Sequence, residues 1–324
     1  MKGVGWVTFL AMVLGWGIHE GWTAEIRYPI HPIQIVIGYS PGTTDMGLRP
    51  FTEKLSEYLG QPVSFVYKPG GNGAMGASFV SKAKPDGYTL LGTSQAPIIT
   101  TPMTQEGLDY TFEDFSPICR LVGTPIVLAV RDNSPMKTVK DVIEEAKKSP
   151  GKISFSTNGV FSTLQLPVEI FCRMAGINLT HVPCPGTSPA VTALLGGHVT
   201  MTSSSMAPLS PHLKSKALRG IAVFEKERLK EFPHIPTFAE AGYPVVYSNW
   251  YGVVAPKKTP EEIVKKLHVS FKKVLDENRK FLEDRVANMS LKLSFLGPEE
   301  FGNALKAENE TVKKIVKELM AAGK

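Results

Sequence analysis

The stretch Gly70–Phe79, GGNGAMGASF, decides how this chain is read. Within it, Gly71-Asn72-Gly73-Ala74-Met75-Gly76 spells G-x-G-x-x-G. PVSFVYKPG upstream reads as a strand, and ASFVSKAK downstream as a short helix. A dinucleotide-binding unit would need the next strand to end in an acid, roughly 20 residues on, to hold ribose hydroxyls. That strand, YTLLGTS, ends in Thr93-Ser94-Gln95, and Asp86 lies before it. The other reading is a glycine turn that aims backbone N–H groups and a helix start at some anion. Both readings stand at this point.

On both sides of this stretch, strand-like and helix-like segments alternate almost throughout. IQIVIGY (33–39) is an apolar run of strand length, broken by SPGTTD. Met46, Leu48, Phe51, Leu55, Tyr58 and Leu59 then recur at helical spacing up to Gly60, with Pro50 an awkward interior residue. The β-α-β-α-β order argues for a parallel sheet with right-handed crossovers. A second series starts near Gly123 and runs to Tyr247. After NWYGVVAP the chain changes to two long amphipathic helices, over 259–286 and 297–320. These need an existing sheet to pack on. The expected organisation is residues 25–123 plus 250–324 as one discontinuous α/β domain, and 124–249 as a second.

Composition bounds the function. The 324 residues are 43% hydrophobic and 20% charged, enough for two packed domains. Residues 1–24 carry one Lys, an apolar run from Val4 to Ile18 and small residues up to Ala24, the layout of a secretory signal peptide. The net charge of +6 is dispersed, with no basic run interleaved with aromatics, which argues against nucleic acid. Three cysteines, Cys119, Cys172 and Cys184, are too few for a disulfide scaffold and are not spaced for zinc. No metal and no cofactor is expected.

Catalytic motifs are missing from the sequence: it has no His-Glu-x-x-His, no Gly-x-Ser-x-Gly and no phosphate-binding Gly-Lys-Ser/Thr loop. His181 and Cys184 stand three apart on a strand, so they face opposite sides. What recurs instead is a loop type at strand ends: Ser40–Asp45, Thr93–Gln95, Ser156–Gly159 with Ser162 and Thr163, Pro185–Ser188, and Ser203–Ser205. All are small and hydroxylic, and none contains Lys or Arg. Such loops offer hydroxyls and N–H groups to a carboxylate, each bond worth ~1.5–3 kcal/mol net. The same residues also serve as helix N-caps, and Asp45 in particular suits either a cap or a ligand ammonium.

With these loops in view, YPIHPIQIVIGYSPGTTDMGLRPF, KPGGNGAMGASF and PDGYTLLGTS resemble the Bug family, periplasmic solute-binding proteins of tripartite tricarboxylate transporters. The resemblance continues through HVPCPGTSPAVTALLGGHV, RGIAVFEKERLKEFPHIPTFAEAGY and NWYGVVAP. It implies an α/β type-2 periplasmic-binding fold, two domains with a hinge and an interdomain cleft. It also implies a monomeric periplasmic receptor, not an enzyme, that takes a small carboxylate to integral-membrane permease subunits. The matching ligand positions are Thr43, Thr44, Asp45, Thr93, Ser94 and Gln95 in the first domain. In the second they are Asn158, Gly159, Ser162, Gly186, Thr187 and Ser188, with Ser204 added from the serine run. Four positions depart from the family pattern: Thr43 replaces a glycine, Cys184-Pro185 replaces Tyr-Lys, and Thr200 replaces an acid. A periplasmic sensor without transport and a nucleotide-dependent enzyme are the competing readings.

Overall fold

The computed structural model describes residues 27–321, so the expected signal peptide lies outside the described residues. In chain order the elements are β1 (Ile33–Ile37), α1 (Thr43–Leu59), β2 (Val63–Tyr67), α2 (Ala74–Ser81), β3 (Thr89–Thr93), α3 (Thr101–Thr104) and β4 (Phe115–Thr124). Next come β5 (Ile126–Arg131), α4 (Val139–Lys148), β6 (Ser154–Thr157), α5 (Leu166–Ala175), β7 (Thr180–Pro183), α6 (Thr187–Leu195), β8 (Met201–Ser205), α7 (Met206–Lys214) and β9 (Leu218–Val223). The chain closes with β10 (Asn249–Pro256), α8 (Glu261–Glu277), α9 (Arg279–Ala287), β11 (Lys292–Leu296) and α10 (Pro298–Ala321).

The strands form two sheets, ordered β11-β4-β10-β3-β1-β2 and β7-β6-β8-β5-β9. Only part of each sheet is parallel. β1 pairs in parallel with β2 and β3, and β6 with β7 and β8. β10 runs antiparallel to both β3 and β4, and β5 antiparallel to β8 and β9. The parallel pairing expected from the β-α-β-α-β order holds for β1, β2 and β3, and the antiparallel strands β10, β4 and β11 extend the same sheet into a mixed one. The reason is connectivity: β10 returns from the second sheet, enters beside the carboxyl end of β3 and must run against it.

One expectation changes, and one strand was not expected. The helix expected over 259–286 is two helices, because Asn278 leaves helical geometry (φ −123°, ψ 23°) and its side-chain amide donates to the Val274 carbonyl at 3.0 Å. β4 hid behind Pro117 and Gly123; Pro117 is accommodated where the β4–β10 register shifts. Pro50, by contrast, sits inside α1 without ending it.

The hydrophobic core explains why the long terminal helices are there. Leu267 and Phe271 of α8 pack with Ile33, Ile35, Leu48 and Phe51 on one face of the first sheet. On the other face, Phe301, Leu305, Val312 and Ile315 of α10 join a cluster that includes Val36 and Leu91 of the first sheet and Leu128 and Phe155 of the second. Burying each such side chain contributes about 1.5–3 kcal/mol.

The opening glycine stretch is now placed. α2 lies directly on the end of β1, backbone against backbone. A Cβ on Gly76 would stand 2.6 Å from Gly38 Cα, and one on Gly38 would stand 2.5 Å from the Gly73 carbonyl oxygen. Gly76→Ala should therefore lower stability by about 1–3 kcal/mol through overpacking. Gly302→Ala, in α10 and meeting only Pro117 Cγ at 3.5 Å, should raise it by up to about 1 kcal/mol. Urea denaturation of the two variants beside the parent measures both signs.

Candidate functional site

The expected ligand residues gather at the carboxyl ends of adjacent strands, in two groups. Thr43, Thr44 and Asp45 follow β1, and Thr93, Ser94 and Gln95 end its neighbour β3. Asn158, Gly159 and Ser162 follow β6, Gly186, Thr187 and Ser188 follow β7, and Ser204 lies on β8; these three strands are neighbours in the second sheet. Thr43, Asn158 and Ser188 are exposed, with Gly159, Gly186 and Thr187 part-buried beside them, whereas Thr44, Asp45, Thr93, Ser94, Gln95, Ser162 and Ser204 are buried.

One helix N-terminus comes from each group, and both have glycine as N-cap. Gly42 precedes α1 and Gly186 precedes α6, so neither cap has a side-chain acceptor to spend on the first turn. The hydroxylic residues Thr43 and Thr187 are the first helical residues, one position past the cap. Uncapped N–H groups with aligned peptide dipoles favour an anion.

Several of the buried side chains have their polar atoms committed within the protein. The Asp45 carboxylate accepts the Gly42 N–H at 2.6 Å, the Tyr67 hydroxyl at 3.0 Å and the Arg49 guanidinium at 3.1 Å. Thr93 Oγ1 donates to the Ser94 carbonyl and Ser204 Oγ to the Ser205 carbonyl. Ser162 Oγ accepts the Gln165 N–H at 3.3 Å and donates to Thr157 Oγ1, which also lies 2.7 Å from His181 Nε2. His181 thus turns toward Thr157, with its ring tilted beside that of Phe155 at 5.0 Å between centroids.

Two phenols join the site that sequence reasoning passed over. Tyr39 hydrogen-bonds with Ser94, and its hydroxyl also reaches the Asn72 carbonyl at 3.2 Å. Tyr251 lies close enough to interact with it and accepts from Asn249 Nδ2 at 3.1 Å. Burial pushes both phenols well up from their ordinary range, so each remains a neutral donor at any physiological pH. The available signal was position: Tyr39 is the first side chain of the loop that ends β1.

A third missed residue is Glu308 of α10. Its carboxylate accepts the Trp250 indole N–H at 2.9 Å and a Gln95 side-chain bond. Burial, opposed by these bonds and by Arg120, raises its pKa to about 7. It borders a cavity of about 1150 Å³ that none of the expected ligand residues lines. That cavity matches acids against bases, with Arg120, Lys226, Arg228 and Lys292 beside Glu225, Glu227, Glu283 and Glu308. It has no preference for an anion, so the strand-end loops remain the candidate site.

The TctC family model, described as the tripartite tricarboxylate transporter family receptor, matches residues 48–293. The chain belongs to the TctC family. Among curated relatives, a Cupriavidus necator protein encoded in a gbd 5′ region is 36% identical over 77% of this chain and 76% of its own length. The Bordetella pertussis protein BugT is 34% identical over 73% of this chain and 74% of its own. Among solved structures, a TctC solute-binding protein from Polaromonas has a TM-score of 0.78 at 29% identity, covering 90% of this chain and 100% of that one. An R. palustris protein solved with adipate has a TM-score of 0.76 at 28% identity, covering 90% and 97%. The resemblance to the Bug family and the two-domain α/β fold it implied are thereby established for this TctC-family chain.

Two predictions follow from the geometry of this TctC-family site. Asp45→Ala should cost roughly 2–3 kcal/mol, because it strands a cap N–H and a phenol, while exposed Thr43→Ala should change stability by less than about 0.5 kcal/mol. Chemical denaturation distinguishes them. Glu308 supplies the second. Its folded pKa near 7 exceeds its ordinary value of 4.5, so the folded state holds the extra proton between those values. Its contribution to stability is complete below pH 4.5 and is lost as pH rises through 7. Melting scans should therefore place Glu308→Gln a few degrees above the parent at pH 8, with that gain gone at pH 4.5.

Proposed function

We propose that this TctC-family periplasmic solute-binding protein captures a small dicarboxylate between its two α/β units and hands it to a membrane permease. The observation that carries the reading is the pair of glycine-capped helix N-termini, α1 from one sheet and α6 from the other. Each suits one carboxylate. Thr43 and Thr44 with Tyr39 and Ser94 surround the first, and Asn158, Gly159 and Ser188 surround the second. The neighbour solved with adipate, itself a dicarboxylate, supports this ligand class.

Neutral donors suffice for such a task. Three or four bonds to charged oxygens at ~1.5–3 kcal/mol each leave room for the entropy of capture, since micromolar affinity requires only about −8 kcal/mol. The bodies that close on the ligand are proposed as residues 25–123 with 250–324, and residues 124–249. The protein works as an exported monomer, as a receptor rather than as a catalyst, and needs no metal or cofactor.

Ligand held only by the folded state raises the melting temperature by mass action, worth about 2.7 kcal/mol at a hundredfold excess over Kd. A panel of aliphatic dicarboxylates including adipate, with tricarboxylates, aromatic acids and NAD beside them, should give its largest shift with a dicarboxylate. Tyr39→Phe should then weaken that ligand about tenfold or more by calorimetry. A panel in which no carboxylate shifts melting, or in which NAD does, would overturn the proposal.

A further inference from the structure

The apolar stripe of α10 contains one charged member. Phe301, Leu305, Val312, Ile315 and Leu319 advance by steps of three and four, and the position that completes the stripe between Leu305 and Val312 is Glu308. The Glu308 side chain is half-buried at the edge of the cavity, with its carboxylate bonded inward to Trp250. Its bonds connect three separate parts of the chain. Trp250 lies on β10, the strand that returns from the second sheet. Gln95, directly after Ser94, lies beside Glu308, and its Nε2 donates to the Tyr247 hydroxyl in the returning segment. α10 itself packs on β4 of the first sheet and on α5 of the second.

One buried atom in this group has no partner: Gln95 Oε1. An ionised Glu308 can only accept, so it cannot satisfy that oxygen. A protonated Glu308 has one O–H to give, and a half-turn of the Gln95 amide would bring Oε1 to it. We propose that Glu308 is a positioning residue for ligand capture, and that taking up a proton swaps the bonds made by Gln95 beneath the Thr93–Ser94 strand end.

The charged surroundings permit the swap. Arg120 of β4 faces Glu308, and the Tyr247 hydroxyl stands near it. Glu225 is occupied by Lys292 of β11 across the adjoining cavity. The segment Ala96–Thr104, packed against α10, carries no titratable side chain, and Arg173 of α5 pairs with Glu318 further along the helix. Burial places the proton's release near pH 7. Because Gln95 directly follows Ser94 at the proposed anion site, the bond arrangement of the protonated form is the one that favours a dicarboxylate, and by linkage the ligand raises the proton affinity of Glu308.

The inference rests on the capture reading, so the test has one arm that needs no ligand. Tryptophan fluorescence of the full chain is followed from pH 5 to 9, with Trp250→Phe subtracted to remove the remaining tryptophans, Trp6, Trp16 and Trp22. The Trp250 signal should step near pH 7 and lose the step in Glu308→Gln. Adipate affinity, measured at pH 6 and pH 8, should be higher at pH 6 in the parent and equal at both in Glu308→Gln. Gln95→Leu cannot swap bonds; it should keep the fluorescence step and lose the pH dependence of adipate binding. A missing step, or one that survives Glu308→Gln, overturns the inference whatever adipate does, as does pH-dependent binding that persists in Gln95→Leu. A normal step with no adipate binding at either pH overturns the capture role instead.

Discussion

The contact among Gly38, Gly73 and Gly76 is the constraint on which the rest of the site depends. With no side chain between them, α2 and its preceding turn sit directly on the end of β1. A Cβ at Gly73 would meet Pro97 Cγ at 2.5 Å, so the same turn also abuts the chain leaving β3. Asn72, held at φ 52°, presents its carbonyl to the Tyr39 hydroxyl. Tyr39 in turn bonds with Ser94. The three glycines thus set the position of two donors in the neighbouring loops. The G-x-G-x-x-G spelling marks close packing of a helix on a strand, a requirement shared with nucleotide-binding units but put to a different use here.

The first domain's parallel strands and the hydroxylic strand-end loops were legible because both are local patterns: apolar runs of strand length, and glycine with small polar residues where a strand stops. Relations between distant segments were not legible. The antiparallel placement of β4 and β10 depends on where the chain re-enters the first sheet, which no window of sequence encodes. The split at Asn278 depends on one residue's backbone geometry inside a continuous helical pattern. Tyr39 read as the last residue of a strand, and Tyr251 lay unremarked in NWYGVVAP; only the fold brings these phenols together. Glu308 was visible in principle, as the one carboxylate in an apolar stripe, but its neighbours lie just after β3 and on β10, far away in sequence.

The electrostatic design follows from the choice of donors. A lysine or arginine in the cleft would attract a carboxylate strongly, yet it would have to be desolvated each time the ligand arrived and left alone each time it departed. In the proposed capture site, neutral hydroxyls, phenols and helix-end N–H groups are oriented by the fold and would lose less hydration on binding. The one candidate acid in these loops, Asp45, is neutralised locally by a cap N–H, a phenol and Arg49. Its charge secures the start of α1 without opposing an anion at the mouth.

Any closure of the two sheets has to turn about a narrow waist. The outgoing strand passes from Thr124 through Pro125 to Ile126, and Thr124 pairs with Asn249 of the returning strand. Beside it, Phe224 donates to the Ile126 carbonyl and Tyr247 to the Phe224 carbonyl. The crossing is thus a small patch of hydrogen-bonded backbone, stiff along the strands and able to twist. α10 spans the same junction with apolar side chains in a core shared by both sheets, so a large opening would have to expose part of that core. The apolar stripe resists such exposure along most of its length. It yields most readily at Glu308, where hydrogen bonds replace close packing and can be exchanged without opening a void. A polar residue in the stripe therefore sits where the proposed closure would move the joint, beside the strand end proposed to receive the ligand.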